Sequence, residues 1–362
     1  MEIMLFSIPH RPRLRKERSA NAMPYSPFSY FVVYWEQHQE KGILWMDMTL
    51  NMNVLRALEG IRTPFFDKLF AALTYLGDQT VFIVLVLGLL WCVDKRRGYC
   101  LFFIGMVGTA ANQLLKAIFL IPRPWLLDPS FTIVESARGG ATGYSFPSGH
   151  TQSATSIFAA LAAWYKKRRW AFAACVAAIV LAAFSRMYLG VHTPLDVGVS
   201  LITGLASAWF GLSAFSRWKS SALQSVALGS AALLALYLLL WPKGATNVAE
   251  FDVHGLESAF TLLGAAIGLT ISWAVDEKRL RYEIKAVWWA QLLKLGLGLG
   301  LLLAIKSLLK TPLNALFGGT PVANCLRYCL VSLFGGLGWP LTFPFWAKLG
   351  HNKIPPEDSQ HA

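Results

Sequence analysis

About nine apolar segments, each near the ~20 residues that cross a bilayer as a helix, follow one another along the chain. They run approximately over 68–93, 98–121, 151–165, 170–189, 194–215, 222–240, 258–275, 286–305 and 326–346. In lipid a helix satisfies its own backbone hydrogen bonds, so such a series predicts an all-α, polytopic transmembrane bundle. Composition agrees, with 55% hydrophobic and only 15% charged residues, where a soluble domain carries about a quarter charged. The first segment is unusual in containing Asp78.

The formal charge of +13 is not a nucleic-acid footprint, because it is parcelled into short hinges at 94–97, 166–169, 216–220 and 277–281. These alternate with weakly charged or acidic connections such as 247–257, the pattern that places basic hinges in the cytoplasm. Nine spans then put the N-terminus outside and the C-terminus inside. Two stretches oppose this polarity: the basic run 10–18, and the connection carrying Lys306, Lys310 and Arg327. An additional membrane-dipping segment at 25–35, or a later start at Met23, Met46 or Met48, would reconcile the first. No signal peptide is expected, since no long apolar core follows the N-terminal basic residues. The five cysteines lie in or beside apolar segments, where packing is the expected role.

The chain is expected to divide into a polar lead-in over 1–45, an interfacial amphipathic stretch over 46–66, a core over 67–216, additional C-terminal spans over 217–348 and a polar tail over 349–362. Gly296 and Gly300, one turn apart, suit close helix packing. Lys294, inside a late span, is expected to snorkel or to make an internal hydrogen bond. His254, Asp252 and Glu257 form an acidic external cluster, read as a solvated loop.

Three polar clusters interrupt the membrane part: Lys116 with Arg123 and Pro124; Pro147-Ser148-Gly149-His150; and Ser185-Arg186 with His192 and Asp196. Lys116 and Arg123 end the second span, the next cluster opens the third, and His192 follows the fourth. All therefore emerge on one side, opposite the basic hinge 166–169. Three cations at membrane depth need an anion, and guanidinium forks fit phosphate oxygens. Ser148 and Gly149 begin a helix, whose free N–H groups favour an anion. Asp196, four residues after His192, can reach the imidazole and fix its tautomer, leaving the other nitrogen to attack phosphorus. His150 is then the acid that protonates the leaving alkoxide and the base that later activates water. Taken singly, each residue has a plainer role as cap, turn or interfacial anchor; jointly they specify a phosphate site. Tyr144 and Phe146 are placed to touch the leaving group.

The pattern Lys-x6-Arg-Pro, Pro-Ser-Gly-His, Ser-Arg-x5-His-x3-Asp resembles the signature of the type-2 phosphatidic acid phosphatase superfamily over residues 116–196. The resemblance implies a phosphatase needing no metal or other cofactor, working through a phosphohistidine. His192 would be the nucleophile, Asp196 its orienting group and His150 the acid/base, with Lys116, Arg123, Ser148, Gly149 and Arg186 binding phosphate. It implies a helical catalytic core with the site on the extracytoplasmic face, here of the cell (inner) membrane. The span count resembles the glucose-6-phosphatase and sphingosine-1-phosphate phosphatase branches. The expected substrate is a membrane lipid phosphate: phosphatidate, a sphingoid phosphate, phosphatidylglycerophosphate or a polyprenyl diphosphate. Alternatives are a soluble sugar phosphate as substrate, or a transporter or scaffold without enzymatic activity. No nucleic-acid partner is expected, and the oligomeric state is open.

Overall fold

The computed structural model describes residues 48–240 and 249–349, and among these all regular structure is helical. The expected lead-in 1–45, the segment 25–35, the side chain of Asp252 and nearly all of the tail lie outside the residues described. The main helices are α1 (Met48–Gly60), α2 (Pro64–Leu73), α3 (Gln79–Gly88), α4 (Lys95–Phe119), α5 (Gly149–Trp164) and α6 (Arg169–Tyr188). They continue with α7 (Pro194–Arg217), α8 (Ser220–Leu240), α9 (Ala249–Val275), α10 (Trp288–Leu308) and α11 (Pro321–Leu333).

Seven helical runs are long and apolar enough to cross a membrane, and a bent pair, Pro64–Gly77 with Gln79–Val93, makes an eighth if counted as one span. The remaining expected segment, 151–165, falls on α5, which at sixteen residues is shorter than these runs. The protein is thus an all-α, multi-pass membrane protein. Large apolar side chains point outward, including Trp170, Trp209, Ile202 and Leu292, as suits a surface wetted by lipid rather than water. Polar residues are turned inward instead: Asn112, Gln152, Thr155, Ser156 and Ser200 are all buried.

Local chemistry sets the boundaries that matter for the site. Helix α4 stops at Leu120, whose backbone is left-handed (φ 50°), and Pro122 and Pro124 then prevent its continuation. Ser148 caps α5, its Oγ accepting from the Thr151 N–H. Thr193 and Asp196 form a reciprocal capping box at the start of α7, with Pro194 in the first turn. The first span bends by 47° between α2 and α3. A 3-10 turn, Thr74–Gly77, fills the break, and Asp78 caps α3 by accepting the Thr80 N–H at 2.7 Å. The charge in the first apolar segment therefore marks a break rather than the middle of a helix.

Helix α1 realises part of the amphipathic stretch. Leu55 is fully buried against Phe131 and Ile133, while Arg56 donates to Asp128 at 2.6 Å and Glu59 accepts the Thr132 N–H at 2.8 Å. These bonds fasten α1 to the loop between α4 and α5.

The late helices correct one expectation. A Cβ at Gly296 or Gly300 would meet open space, whereas at Gly298 it would lie 2.4 Å from Trp339 Nε1 and 2.7 Å from Trp91. The packed face of α10 carries Ala290, Lys294, Gly298 and Leu302, a four-residue stripe that leaves 296 and 300 on its outer side. Lys294 does not snorkel: it is fully buried, donates to the Ile284 carbonyl at 2.9 Å and sits 4.3 Å from the centre of the Phe343 ring. Helices α9 and α11 meet at backbone contact, since a Cβ at Gly264 would stand 2.0 Å from the Cys325 carbonyl oxygen. His254 Nδ1 lies 3.6 Å from Glu257 Oε2.

Candidate active site

Chain order alone gathers the polar clusters at one end of the bundle. The end of α4, the start of α5, the end of α6 and the start of α7 share that end, and the hinges 94–97 and 166–169 lie at the other. Lys116, Arg123, Ser148, Arg186, His192 and Asp196 are all buried there, at most 7% exposed, so the charges stand where only a partner of opposite sign relieves them.

Arg123 is held by four bonds. Its Nε donates to the Gly143 carbonyl at 2.9 Å, Nη2 to the Thr142 carbonyl at 2.7 Å and Nη1 to the Val191 carbonyl at 2.9 Å. Nη1 also lies 3.0 Å from His192 Nε2. A guanidinium has no acceptor, so Nε2 must offer its lone pair and the ring proton sits on Nδ1. Nδ1 is 3.4 Å from Asp196 Oδ2, within reach but not aligned as a hydrogen bond. That oxygen instead accepts from Ser145 Oγ at 2.5 Å and from the Thr193 N–H at 2.8 Å. Burial first, then the cations Arg123, Arg186 and Lys116, push His192 well below the usual imidazole value. The ring is therefore neutral at neutral pH.

Lys116 reaches from α4 to the carbonyls of Tyr144 at 2.7 Å and Ser145 at 3.3 Å. Arg186 donates through Nη1 to Thr74 Oγ1 at 2.7 Å, while its buried Nε and Nη2 have no hydrogen-bond partner. Two buried, charged N–H donors pointing at nothing in the protein are the strongest sign of an anion's place. The Ser148 hydroxyl accepts from Thr151 Oγ1 at 3.0 Å, which leaves its own proton to donate. Gly149 opens α5 with only the Asn112 side chain near its Cβ position, at 3.6 Å.

His150 stands apart from the Arg123–His192–Asp196 line, with Nε2 3.9 Å from Asp78 Oδ2. The structure thus brings all eight expected residues to one end of the bundle. It adds four whose role sequence reasoning missed. Ser145, two residues ahead of the Pro-Ser-Gly-His run, braces Asp196. Asn112 is buried with Nδ2 unpartnered, one turn before Lys116 on the same face. Thr74 and Asp78 come from the break in the first span, where only the charge at 78 gave a signal. Tyr144 and Phe146 are buried, Phe146 against Phe119 with ring centres 5.0 Å apart.

The chain has relatives among known proteins. The chain is similar to the undecaprenyl-diphosphatase BcrC of Bacillus subtilis (strain 168), 26% identical over 160 residues, covering 43% of this chain and 79% of the relative. It is also similar to a probable sphingosine-1-phosphate phosphatase of Dictyostelium discoideum, 24% identical over 187 residues, 46% of this chain and 43% of the relative; the match spans less than half of that protein. Among solved structures, a PAP2-type phosphatidylglycerolphosphate phosphatase from Bacillus subtilis aligns with a TM-score of 0.40 at 19% identity, over 53% of this chain and 95% of that one. Residues 97–220 match the model of the PAP2 superfamily, and residues 260–350 match the PAP2 superfamily phosphatase transmembrane extension. The chain belongs to the PAP2 superfamily, with a PAP2 domain followed by that transmembrane extension.

Proposed function

We propose that this protein is a lipid phosphatase that transfers the phosphoryl group of a membrane lipid to His192 and then to water. The observation that carries the reading is the Arg123–His192 contact of 3.0 Å. It leaves an unprotonated Nε2 at the centre of a cationic cradle, which is what a nucleophile facing phosphorus requires.

In the first step Nε2 attacks phosphorus, forming the N–P bond as the P–O bond to the lipid breaks. His150 gives its proton to the departing alkoxide. The Nδ1 proton stays on the ring, where the Asp196 carboxylate balances the developing imidazolium charge. In the second step His150 takes a proton from water, the resulting hydroxide attacks phosphorus, and the N–P bond breaks to release inorganic phosphate and neutral His192. Lys116, Arg123, Arg186, the Ser148 hydroxyl and the Gly149 N–H stabilise the charge spread over the phosphoryl oxygens. The chemistry needs no metal. The site faces outward, because the basic hinges lie at the opposite end of the bundle, and the cell membrane is the proposed location.

The test is a phosphate-release screen with purified full-length protein across lipid monophosphates, polyprenyl diphosphates and glucose 6-phosphate. Quenching the same reactions in alkaline detergent should trap an acid-labile, base-stable phosphoryl adduct on His192. Turnover of glucose 6-phosphate alone, or an adduct on another residue, overturns the lipid assignment or the nucleophile respectively.

A further inference from the structure

The break in the first span supplies the acid/base histidine with a carboxylate. We infer that Asp78 is a positioning residue for His150, holding its proton at Nε2 so that the ring can protonate the leaving oxygen; this rests on the reading of His150 given above.

The argument starts from where residues 74–78 lie. They precede the segment 97–220 that matches the superfamily model, so nothing in that match assigns them a role. Yet the span bends here by 47°, and the bend turns two side chains into the site. Thr74 Oγ1 accepts from Arg186 at 2.7 Å, and Asp78 Oδ2 stands 3.9 Å from His150 Nε2. The contact is built closely: a Cβ at Gly77 would fall 2.2 Å from the His150 carbonyl oxygen, so only glycine lets the turn lie flat on the start of α5. The two oxygens of Asp78 are divided, Oδ1 capping α3 through Thr80 and Oδ2 facing the imidazole.

His150 needs such a partner. The other charged groups around it are Arg186 from α6, Lys116 and Arg123 from α4 and the turn after it, and His192 ahead of α7. Burial and all three cations oppose protonation of the ring, and the Asp78 carboxylate works against them. At 3.9 Å the carboxylate acts as a charge rather than a hydrogen-bond acceptor. That distance leaves the Nε2 proton free to pass to an incoming oxygen, while the negative charge favours the protonated ring against the cations around it.

The experiment compares wild type with Asp78→Asn and Asp78→Glu in the purified full-length protein. Asparagine keeps the Oδ1 acceptor that caps α3, so the fold is preserved, and a thermal melt checks it. Two substrates are used: a lipid monophosphate, whose alkoxide must be protonated to leave, and p-nitrophenyl phosphate, whose phenolate leaves without a proton. For Asp78→Asn we expect kcat on the lipid to fall about 10- to 100-fold with KM within twofold. The loss on p-nitrophenyl phosphate should be several-fold smaller. The basic limb of the pH profile should move to lower pH by about one unit, because the ring loses its proton more readily. Asp78→Glu should restore part of the lipid turnover.

An unchanged kcat and pH profile in Asp78→Asn overturns the inference. Equal losses on both substrates with unmoved pH limbs also overturn it, because they mean a purely structural role. A rise in KM on the lipid with kcat unmoved overturns it too, assigning Asp78 to lipid binding. Failure of the underlying reading looks different: wild-type protein itself then releases no phosphate from either substrate.

Discussion

Arg123 Nη1 sits 3.0 Å from His192 Nε2 and 2.9 Å from the Val191 carbonyl, so a single guanidinium nitrogen bridges the proposed nucleophile and the backbone just before it. The contact fixes the imidazole tautomer, but it also covers the lone pair that must attack. A phosphate oxygen arriving in the cradle competes for that N–H and uncovers Nε2 as it binds. Arg123→Lys keeps the charge and loses the fork, so kcat/KM should fall about 100- to 1000-fold, with the melting temperature within a few degrees. Steady-state phosphate release beside a thermal melt measures both.

His192→Ala removes the proposed acceptor of the phosphoryl group. Phosphate release should drop to background in protein that still elutes as wild type on size exclusion, and the acid-labile adduct should vanish. Turnover within tenfold of wild type would assign the nucleophile elsewhere.

The neutral state of His192 gives the pH dependence its sign. The attacking form is the deprotonated ring, and burial together with Arg123, Arg186 and Lys116 holds its pKa well below 6.5. Activity should therefore persist as pH falls through 6.5 and fail only at lower pH. Arg123→Gln removes one of the opposing cations, so the acidic limb of kcat/KM should move upward. A profile between pH 4 and 8 on wild type and variant reads the shift directly.

Ser145 donates to the same Asp196 oxygen that faces His192. Ser145→Ala leaves that carboxylate with one donor fewer, and kcat should fall about tenfold, the equivalent of one hydrogen bond to a charged group. KM should hold, because Ser145 acts through Asp196.

Chelators should leave turnover unchanged, since the charge stabilisation is assigned to Lys116, Arg123 and Arg186. Vanadate, which adopts the five-coordinate geometry of phosphoryl transfer, should inhibit competitively. Loss of activity in chelator that a divalent cation restores would require a metal in the mechanism.

The sequence carried much of the site because its residues are chemically improbable where they stand. Three cations at the edges of apolar segments, and a histidine four residues ahead of an aspartate, are hard to reconcile with packing alone. Residues whose oddity depends on tertiary position were not legible in this way. Ser145 reads as a turn residue until Asp196 is seen beside it, and Asn112 as a polar residue inside a helix until its amide is found buried. Asp78 was visible only as a blemish in a span, because nothing local says that the helix breaks there and turns the carboxylate toward His150. Gly296 and Gly300 misled for a related reason: spacing shows that two glycines share a face, but not which face meets a neighbour.

Trp91 belongs to the turn that closes the first span, yet its indole N–H is bonded at 2.9 Å to the Gly335 carbonyl, 244 residues further along the chain. Its ring is fully buried, beside Trp339 and the bare backbone of Gly298. During synthesis that N–H enters the bilayer long before its acceptor exists, and an unpaired polar group in hydrocarbon costs several kcal/mol. The first of the described spans is thus completed by the last of them, and this part of the membrane-embedded chain reaches its final form only when residues 244 positions apart have met.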